Sequence, residues 1–291
     1  MEFTLKNYSC ASCGNNATKQ LLEKQGFSIV KCGHCGFVYV DPRVENRELI
    51  SIYKHNYFTN KDYGYVDYEQ EKRLRLKNFE RWLKDADAYI PGDTQVHALD
   101  IGCAAGYCLE VMTTKRWKTT GLELDDEMCE NLQRSGYDVS RSSIEDFSTD
   151  NKFSVITLFD VIEHIPNIDT AFSKLKTLLA KDGVVIMVTP DHNSFQRKLL
   201  GKRWFQYKPI EHIQYFDKNS LQSFAERNGL TIAFQKSCGQ YADTQFLVNR
   251  LKYYHFPFLA KMANGIFRML GTRDKFFYTD TGSLFVILKH K

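Results

Sequence analysis

Residues 99–106, Leu-Asp-Ile-Gly-Cys-Ala-Ala-Gly, constrain this chain more than any other stretch. The apolar run VHALDIG (96–102) enters them as a buried strand, and a helical pattern follows at about 105–116. A glycine turn at such a switch point lets a ligand approach the backbone closely. The alternation continues downstream. WKTTGLELD (117–125) reads as a strand with a helix through about 135, then a short strand at 137–141, a strand at 153–160 and a helix at 168–180. Lys181-Asp182-Gly183 then turns into a strand at 184–190. A helix at 218–228, a strand at 230–237 and a final strand at 283–290 complete the pattern. Alternating strands and helices predict an α/β fold with a mostly parallel sheet covered on both faces.

The length, 291 residues, allows one large α/β domain with an appendage. Hydrophobic residues at 43% and charged residues at 25% exclude intrinsic disorder. Lys and Arg number 39 against 35 acids, a balance too weak for a chain-wide nucleic-acid footprint. There is no uninterrupted apolar run of about 18 residues, and MEFTLKNYSC has the form of neither a signal nor a transit peptide. Eight cysteines without a secretion signal point to a reducing, cytoplasmic setting. Three units are expected: a cysteine block at 1–43, a helical lid or linker at 44–92, and the α/β domain at 93–291 with a helical insert at about 244–270.

The cysteine block carries Cys10-x-x-Cys13 and Cys32-x-x-Cys35, 18 residues apart. Each pair bends as a knuckle and aims two thiolates at one ion, and two knuckles complete a tetrahedral zinc site. Four thiolates leave no open coordination position, so the zinc is structural. His34 is a turn residue facing solvent. Cys103, Cys108, Cys129 and Cys238 lack ligand spacing and read as small buried residues.

Taken alone, the glycine loop also suits a dinucleotide. Three details favour another ligand. Gly102 and Gly106 stand four apart, where the dinucleotide fingerprint has five. Asp100 precedes the first glycine by two, where it would repel a pyrophosphate and welcome an ammonium group. Glu123 ends the second strand, placed to accept hydrogen bonds from ribose hydroxyls. An acid for an amino group and an acid for a ribose describe S-adenosylmethionine, with Cys103 and Leu124 beside them.

On these residues the chain resembles the class I S-adenosylmethionine-dependent methyltransferases, whose first motif is acid-x-Gly-x-Gly-x-Gly; Ala104 replaces the middle glycine. The resemblance implies a seven-stranded Rossmann-like sheet of order 3-2-1-4-5-7-6 with the last strand antiparallel. It also implies Ile144 and Glu145 near the adenine, and Phe159 and Asp160 beside the methionine. The opening block, ending Phe37-Val38-Tyr39-Val40-Asp41-Pro42, resembles a branch whose zinc-ribbon-like element precedes the methyltransferase domain and whose members act on sugars, polysaccharide precursors or small natural products. In that branch the region Tyr53 to Tyr68 forms a lid, with Tyr57 and Phe58 as cofactor contacts.

A hydroxyl acceptor must lose its proton during methyl transfer, which calls for a base. His164, His192 and His212 follow sheet strands. Glu211-His212-Ile213-x-Tyr215-Phe216 resembles an acceptor-pocket segment of sugar methyltransferases, which makes His212 the candidate base, with Glu211 and Tyr207 orienting it and His192 facing the acceptor. His164, in Asp160-x-x-Glu163-His164, reads as structural. Residues 192–220 hold six Lys or Arg against two acids, a rim on which Arg197, Lys202, Arg203 and Lys208 would meet an anionic, glycan-like or nucleotide-sugar acceptor. The insert at 244–270 is amphipathic and basic, suited to a lid, a dimer face or peripheral membrane contact. Two other functions are compatible with the chain. One is an rRNA or tRNA methyltransferase, against which the weak basicity of the zinc block counts; the other is a non-catalytic binding module that retained the fold.

Overall fold

The computed structural model describes residues 3–54, 72–92, 95–244, 246, 248–249, 257–269, 271 and 275–291. At the N-terminus β1 (Leu5–Lys6) pairs with β5 (Arg43–Val44). Between them β2 (Thr18–Lys24), β3 (Phe27–Cys32) and β4 (Val38–Val40) form an antiparallel meander. The helices α1 (Asn46–Lys54) and α2 (Lys72–Ala86) follow. On α2, Leu74, Phe79, Trp82 and Leu83 recur at helical spacing, and all are buried.

The central sheet contains β6 (His97–Ile101), β7 (Lys118–Glu123), β8 (Val139–Arg141), β9 (Phe153–Phe159) and β10 (Leu179–Pro190), joined by α3 (Tyr107–Thr114), α4 (Asp126–Arg134) and α5 (Ile168–Leu178). After α6 (Phe195–Leu200), the two-residue β11 (Gln214–Tyr215) and α7 (Lys218–Arg227), the chain forms β12 (Leu230–Asp243), α8 (Pro257–Met269) and β13 (Phe276–His290). Spatial order across the sheet is β8-β7-β6-β9-β10-β13-β12. In chain order that is 3-2-1-4-5-7-6, with β13 antiparallel to both neighbours, as the motif resemblance implied. β9 is largely apolar, and residues 184–188 of β10 and residues 284–288 of β13 are apolar runs, because helices cover the sheet on both faces.

Two differences from the sequence reading are physical. The turn expected at 181–183 is the start of β10 itself, with its register shifted between Leu179 and Val184. The final hairpin is longer than its apolar runs: Gly239–Asp243 pair with Phe276–Asp280 beyond a second register shift. A Cβ at Gly239 would lie 1.8 Å from the Thr279 carbonyl oxygen, so only glycine lets these strands approach. The hairpin end then ties down α2. Trp82 Nε1 donates to the Gly239 carbonyl at 3.3 Å, and the Tyr241 N–H donates to Asn78 Oδ1 at 2.6 Å.

The cysteine block does not stand apart. β11 adds to β4, and Cys10, Val30, Cys32, Phe37 and Tyr39 share one apolar cluster with β6, β9 and α7. Arg227 of α7 donates to the Ala11 and Ser12 carbonyls of the first knuckle while pairing with Asp169.

Candidate active site

The carboxyl ends of β6, β7 and β9 open into one cavity of about 610 Å³, roofed by α1, α2 and the hairpin end. Gly102 begins its floor at φ +70°, and a Cβ there would meet Val161 Cγ2 at 2.7 Å. Its N–H and that of Cys103 donate to the Leu122 carbonyl, which pins the turn to β7. Ala104, at the position of the missing glycine, is also left-handed at φ +48°. A methyl group there costs about 1 kcal/mol and still leaves the loop formed.

Asp100 is buried, and Thr157 Oγ1 donates to its Oδ1 at 2.6 Å. Burial raises its pKa to about 7, against the opposing pull of the Thr157 and Cys108 hydrogen bonds. Glu123 is equally enclosed. Its Oε2 accepts from the Ala104 N–H at 2.7 Å, and its Oε1 accepts from the Leu124 and Asp125 N–H groups at 2.7 and 3.0 Å. Burial raises this group too, while the three backbone donors lower it. Those donors leave Oε2 with further acceptor capacity, so a ribose hydroxyl has a place to donate.

Asp100, Gly102, Cys103, Glu123, Leu124, Ile144, Glu145, Phe159 and Asp160 all line the cavity. Gly106 does not. It precedes α3 at φ +76°, where a Cβ would meet Leu132 at 2.4 Å, so its part is to start the helix. Tyr57 and Phe58 lie outside the described residues.

The segment 211–216 runs between the first sheet and the turn after β9. The Ile213 N–H donates to the Glu163 carbonyl, and the Val40 N–H donates to the Ile213 carbonyl. His212 is buried and lines the cavity. A carbonyl only accepts, so His212 Nδ1, 2.9 Å from the Gln206 carbonyl, carries the proton. Burial, then His164 and Lys208, hold this imidazole neutral, well below its ordinary range. Its lone pair therefore sits on Nε2. His164 packs edge-on against it, 4.8 Å between ring centres, and its Nδ1 lies near Tyr53 Oη and the Glu211 carbonyl. Burial and Lys208 press His164 down to about 3.

The carboxylates beside these rings respond oppositely. Burial raises both Asp160 and Glu163. Glu163 Oε2 accepts from Thr189 Oγ1 at 2.9 Å, while its Oε1 is buried without a hydrogen-bond partner. Asp160 holds a left-handed backbone, φ +55°, at the end of β9, a conformation that aspartate tolerates better than most residues. Among the described residues, Glu163, His164 and His212 bring metal-capable atoms within 4.8 Å of one another.

Three acceptor-side expectations shift. Glu211 points its carboxylate at Lys208 Nζ, 3.5 Å away, and Gln206 rather than Glu211 orients His212. Tyr207 and His192 bond each other at 3.0 Å, with Arg197 Nε on the same hydroxyl. They pack with Trp204 and Tyr215 on the side of the first sheet and line no part of the cavity. Of the basic rim, Lys208 lines the cavity, whereas Lys202 and Arg203 are exposed outside it. Arg75 and Asn78 of α2 also face the cavity. No motif announces them, because only the docking of α2 under the hairpin brings them there.

At the N-terminus the four cysteine sulfurs lie within 4.8 Å of one another, with Cys10–Cys35 and Cys13–Cys32 each at 3.5 Å. Tetrahedral Zn–S bonds of about 2.3 Å place sulfurs roughly 3.8 Å apart, so the set fits that ion. It does not fit disulfides, whose sulfurs stand near 2.05 Å. Gly14 and Gly36 close the two knuckles at φ +71° and +79°. His34 is exposed, and the four remaining cysteines are buried.

Comparison with known proteins agrees with this geometry. A ubiquinone biosynthesis O-methyltransferase of Actinobacillus pleuropneumoniae is 31% identical over 151 residues, covering 43% of this chain and 64% of that protein. One of the same name from Nitrosomonas europaea is 25% identical over 162 residues, covering 51% and 69%. The chain thus spans about two thirds of the length of these relatives. Among solved structures, an S-adenosylmethionine-dependent methyltransferase from Clostridium acetobutylicum superposes with a TM-score of 0.52 at 14% identity, over 77% of this chain and 95% of that one. One from Archaeoglobus fulgidus gives 0.51 at 15%, over 77% and 99%. These two likenesses establish the fold. The family described as "Methyltransferase domain" matches residues 68–234, more than half the sequence, and to that family this chain belongs.

Proposed function

We propose that the protein transfers a methyl group from S-adenosylmethionine to a hydroxyl of a small anionic acceptor, a sugar, nucleotide-sugar or glycan precursor. The observation that carries this reading is one cavity lined by Asp100 and Glu123 together with neutral His212 and Lys208. S-adenosylmethionine supplies an electrophilic methyl on a sulfonium centre. Asp100 balances the charge of its amino-acid end, and Glu123 accepts from its ribose. His212 Nε2 takes the acceptor's proton as the O–CH₃ bond forms and the S–CH₃ bond breaks. Lys208 and Arg75 draw an anionic group into the cavity.

A second reading, a phenolic hydroxyl, has its own support. The roof is apolar, with Leu49, Ile50, Trp82 and Phe205. A base held well below its ordinary range removes a proton more readily from a phenol, near pH 10, than from an alcohol. The relatives' name, ubiquinone biosynthesis O-methyltransferase, points the same way. Methyl-labelled cofactor offered to separate nucleotide-sugar, glycan, phenol and RNA pools decides between them. Label in the sugar or glycan pool is the expected result. Label only in phenols selects the second reading, and label only in RNA or in none rejects both.

We further propose that Cys10, Cys13, Cys32 and Cys35 hold a structural zinc ion. Elemental analysis is expected to find about one zinc per chain. Cys32→Ser is expected to lose that metal and to lower the melting temperature, because Cys32 sits in the central apolar cluster. A metal-free wild type with an unchanged melting curve after chelation would reject the assignment.

A further inference from the structure

Two short helices carry most of the exposed large apolar surface. Among the described residues, eight of the eleven exposed large hydrophobic side chains lie on α6 and α8. On α8 they are Phe258, Leu259, Met262, Ile266 and Met269, with Phe258 72% and Met269 80% exposed. At about 100° per residue these five fall within roughly 100° of arc, one stripe. Ala260, buried, lies on the opposite side and marks the face turned to the protein. A helix whose apolar stripe faces away from its own core has not been folded around that core. It presents the stripe to something else.

The charge beside the stripe says what that is. Neither α6 nor α8 contains an acid. Lys261 and Arg268 share one flank of the α8 stripe at spacings that place them on the same side. The sequence 193–210, which includes α6, has five Lys or Arg and no acid. Phe195 and Leu199, 72% and 71% exposed, stand one helical turn apart there. Both helices attach to the β12–β13 hairpin. α8 lies between its strands, and α6 is bonded to it through Gln196 Nε2, which donates to the Asp280 carbonyl at 3.0 Å. Exposed apolar side chains interleaved with cations, on helices that carry no acid of their own, match the interface of an anionic bilayer, where the apolar stripe enters the acyl boundary and the cations meet phosphate headgroups. A subunit interface of this composition would set like charges of two copies against each other.

We propose that the α6–α8 face is a docking surface for an anionic lipid membrane. Contact is peripheral, since no helix among the described residues is long and apolar enough to cross a bilayer. Gln240, Tyr241, Thr279 and Thr281 at the hairpin end border the cavity, so docking sets the cavity beside the membrane surface. This inference does not depend on which acceptor the site takes.

The test is co-sedimentation of the full chain with vesicles of phosphatidylcholine alone or mixed with phosphatidylglycerol, at low and raised salt, alongside light scattering of the protein by itself. Binding to the mixed vesicles at least about 10-fold tighter than to phosphatidylcholine, and weakened by salt, is expected. Met262→Glu with Ile266→Glu changes exposed positions and is expected to abolish binding. Lys261→Glu with Arg268→Glu keeps the apolar stripe and is expected to lose the preference for phosphatidylglycerol. Wild-type protein left in the supernatant with every vesicle, or equal binding to both compositions, overturns the proposal. So does a concentration-dependent dimer that the Met262/Ile266 variant abolishes while no vesicle is bound.

Discussion

Asp100→Asn is expected to weaken S-adenosylmethionine binding by about 30- to 150-fold while leaving the unliganded protein at least as stable at pH 8. The affinity loss follows from removing one charge-assisted contact of about 2–3 kcal/mol. The stability side follows from burial. Asp100 is enclosed with Thr157 as its near partner, and burial lifts it to about 7 in the fold, against about 3.9 in an unfolded chain. The folded state therefore keeps this proton longer than the unfolded state. Its contribution to stability falls as pH rises from about 4 to 7, and above 7 the full cost, about 4 kcal/mol, is present. The asparagine keeps the shape and the Thr157 contact and has no charge to desolvate. The stability gap between variant and wild type should thus open between pH 4 and 7 in thermal melts. Calorimetry should show wild-type affinity rising with pH over the same window, as Asp100 gives up its proton to meet the cation. An Asn variant that binds the cofactor like wild type would remove Asp100 from the site.

The two buried histidines act in the other direction. His164 and His212 are pressed below their ordinary range by burial first. The fold then favours their neutral forms, and stability is lost as pH falls below about 6.5, where the unfolded chain takes up protons. Between about pH 4 and 6.5 the two effects therefore oppose each other, the raised carboxylates costing stability as pH rises and the histidines as pH falls. On the proposed reading, a cavity that receives a cation and keeps a neutral base carries a cost from its carboxylates at higher pH and from its histidines at lower pH until its ligand arrives.

How much of this was legible follows from where each signal resides. The glycine loop and Glu123 were readable because their job is local: a strand end, a turn that needs φ > 0, and an acid one strand on. The paired CxxC knuckles were readable for the same reason, since each is closed by its own glycine. The hairpin end was not, because GQYAD and FFYTD lack strand alternation and pair only where Gly239 permits contact with Thr279. The roles around His212 were also hidden. Glu211 adjoins it in sequence, yet its side chain turns to Lys208, and the group that sets the tautomer is a backbone carbonyl, which no sequence motif can mark. Tyr207 and His192 do possess acid–base and hydrogen-bonding chemistry. They spend it on each other, because Trp204 and Tyr215 pull that segment into the apolar cluster of the first sheet.

His212→Ala is expected to lower kcat by about 10²- to 10⁴-fold, the usual worth of a positioned base, with cofactor affinity within about 3-fold of wild type. The split follows from partners: the hydrogen bonds that hold Asp100 and Glu123 involve Thr157 and the Ala104, Leu124 and Asp125 backbone, whereas the His212 ring is fixed by the Gln206 carbonyl. Because its imidazole is neutral throughout the physiological range, the wild-type kcat should show no limb near pH 6.5. Any limb near 7 or above belongs to the raised carboxylates. His192→Asn serves as the contrast: it loses one bond to Tyr207 outside the cavity and should lower the melting temperature by a few degrees with kcat within about 3-fold. Isothermal binding and single-turnover methyl transfer separate affinity from chemistry in each variant. If His192→Asn lost more kcat than His212→Ala, the proton would leave by the side of the cavity-remote pair, and the base would have to be sought there. If neither lost any, the acceptor would be acidic enough to need no base, which the phenolic reading allows and the alcohol reading does not.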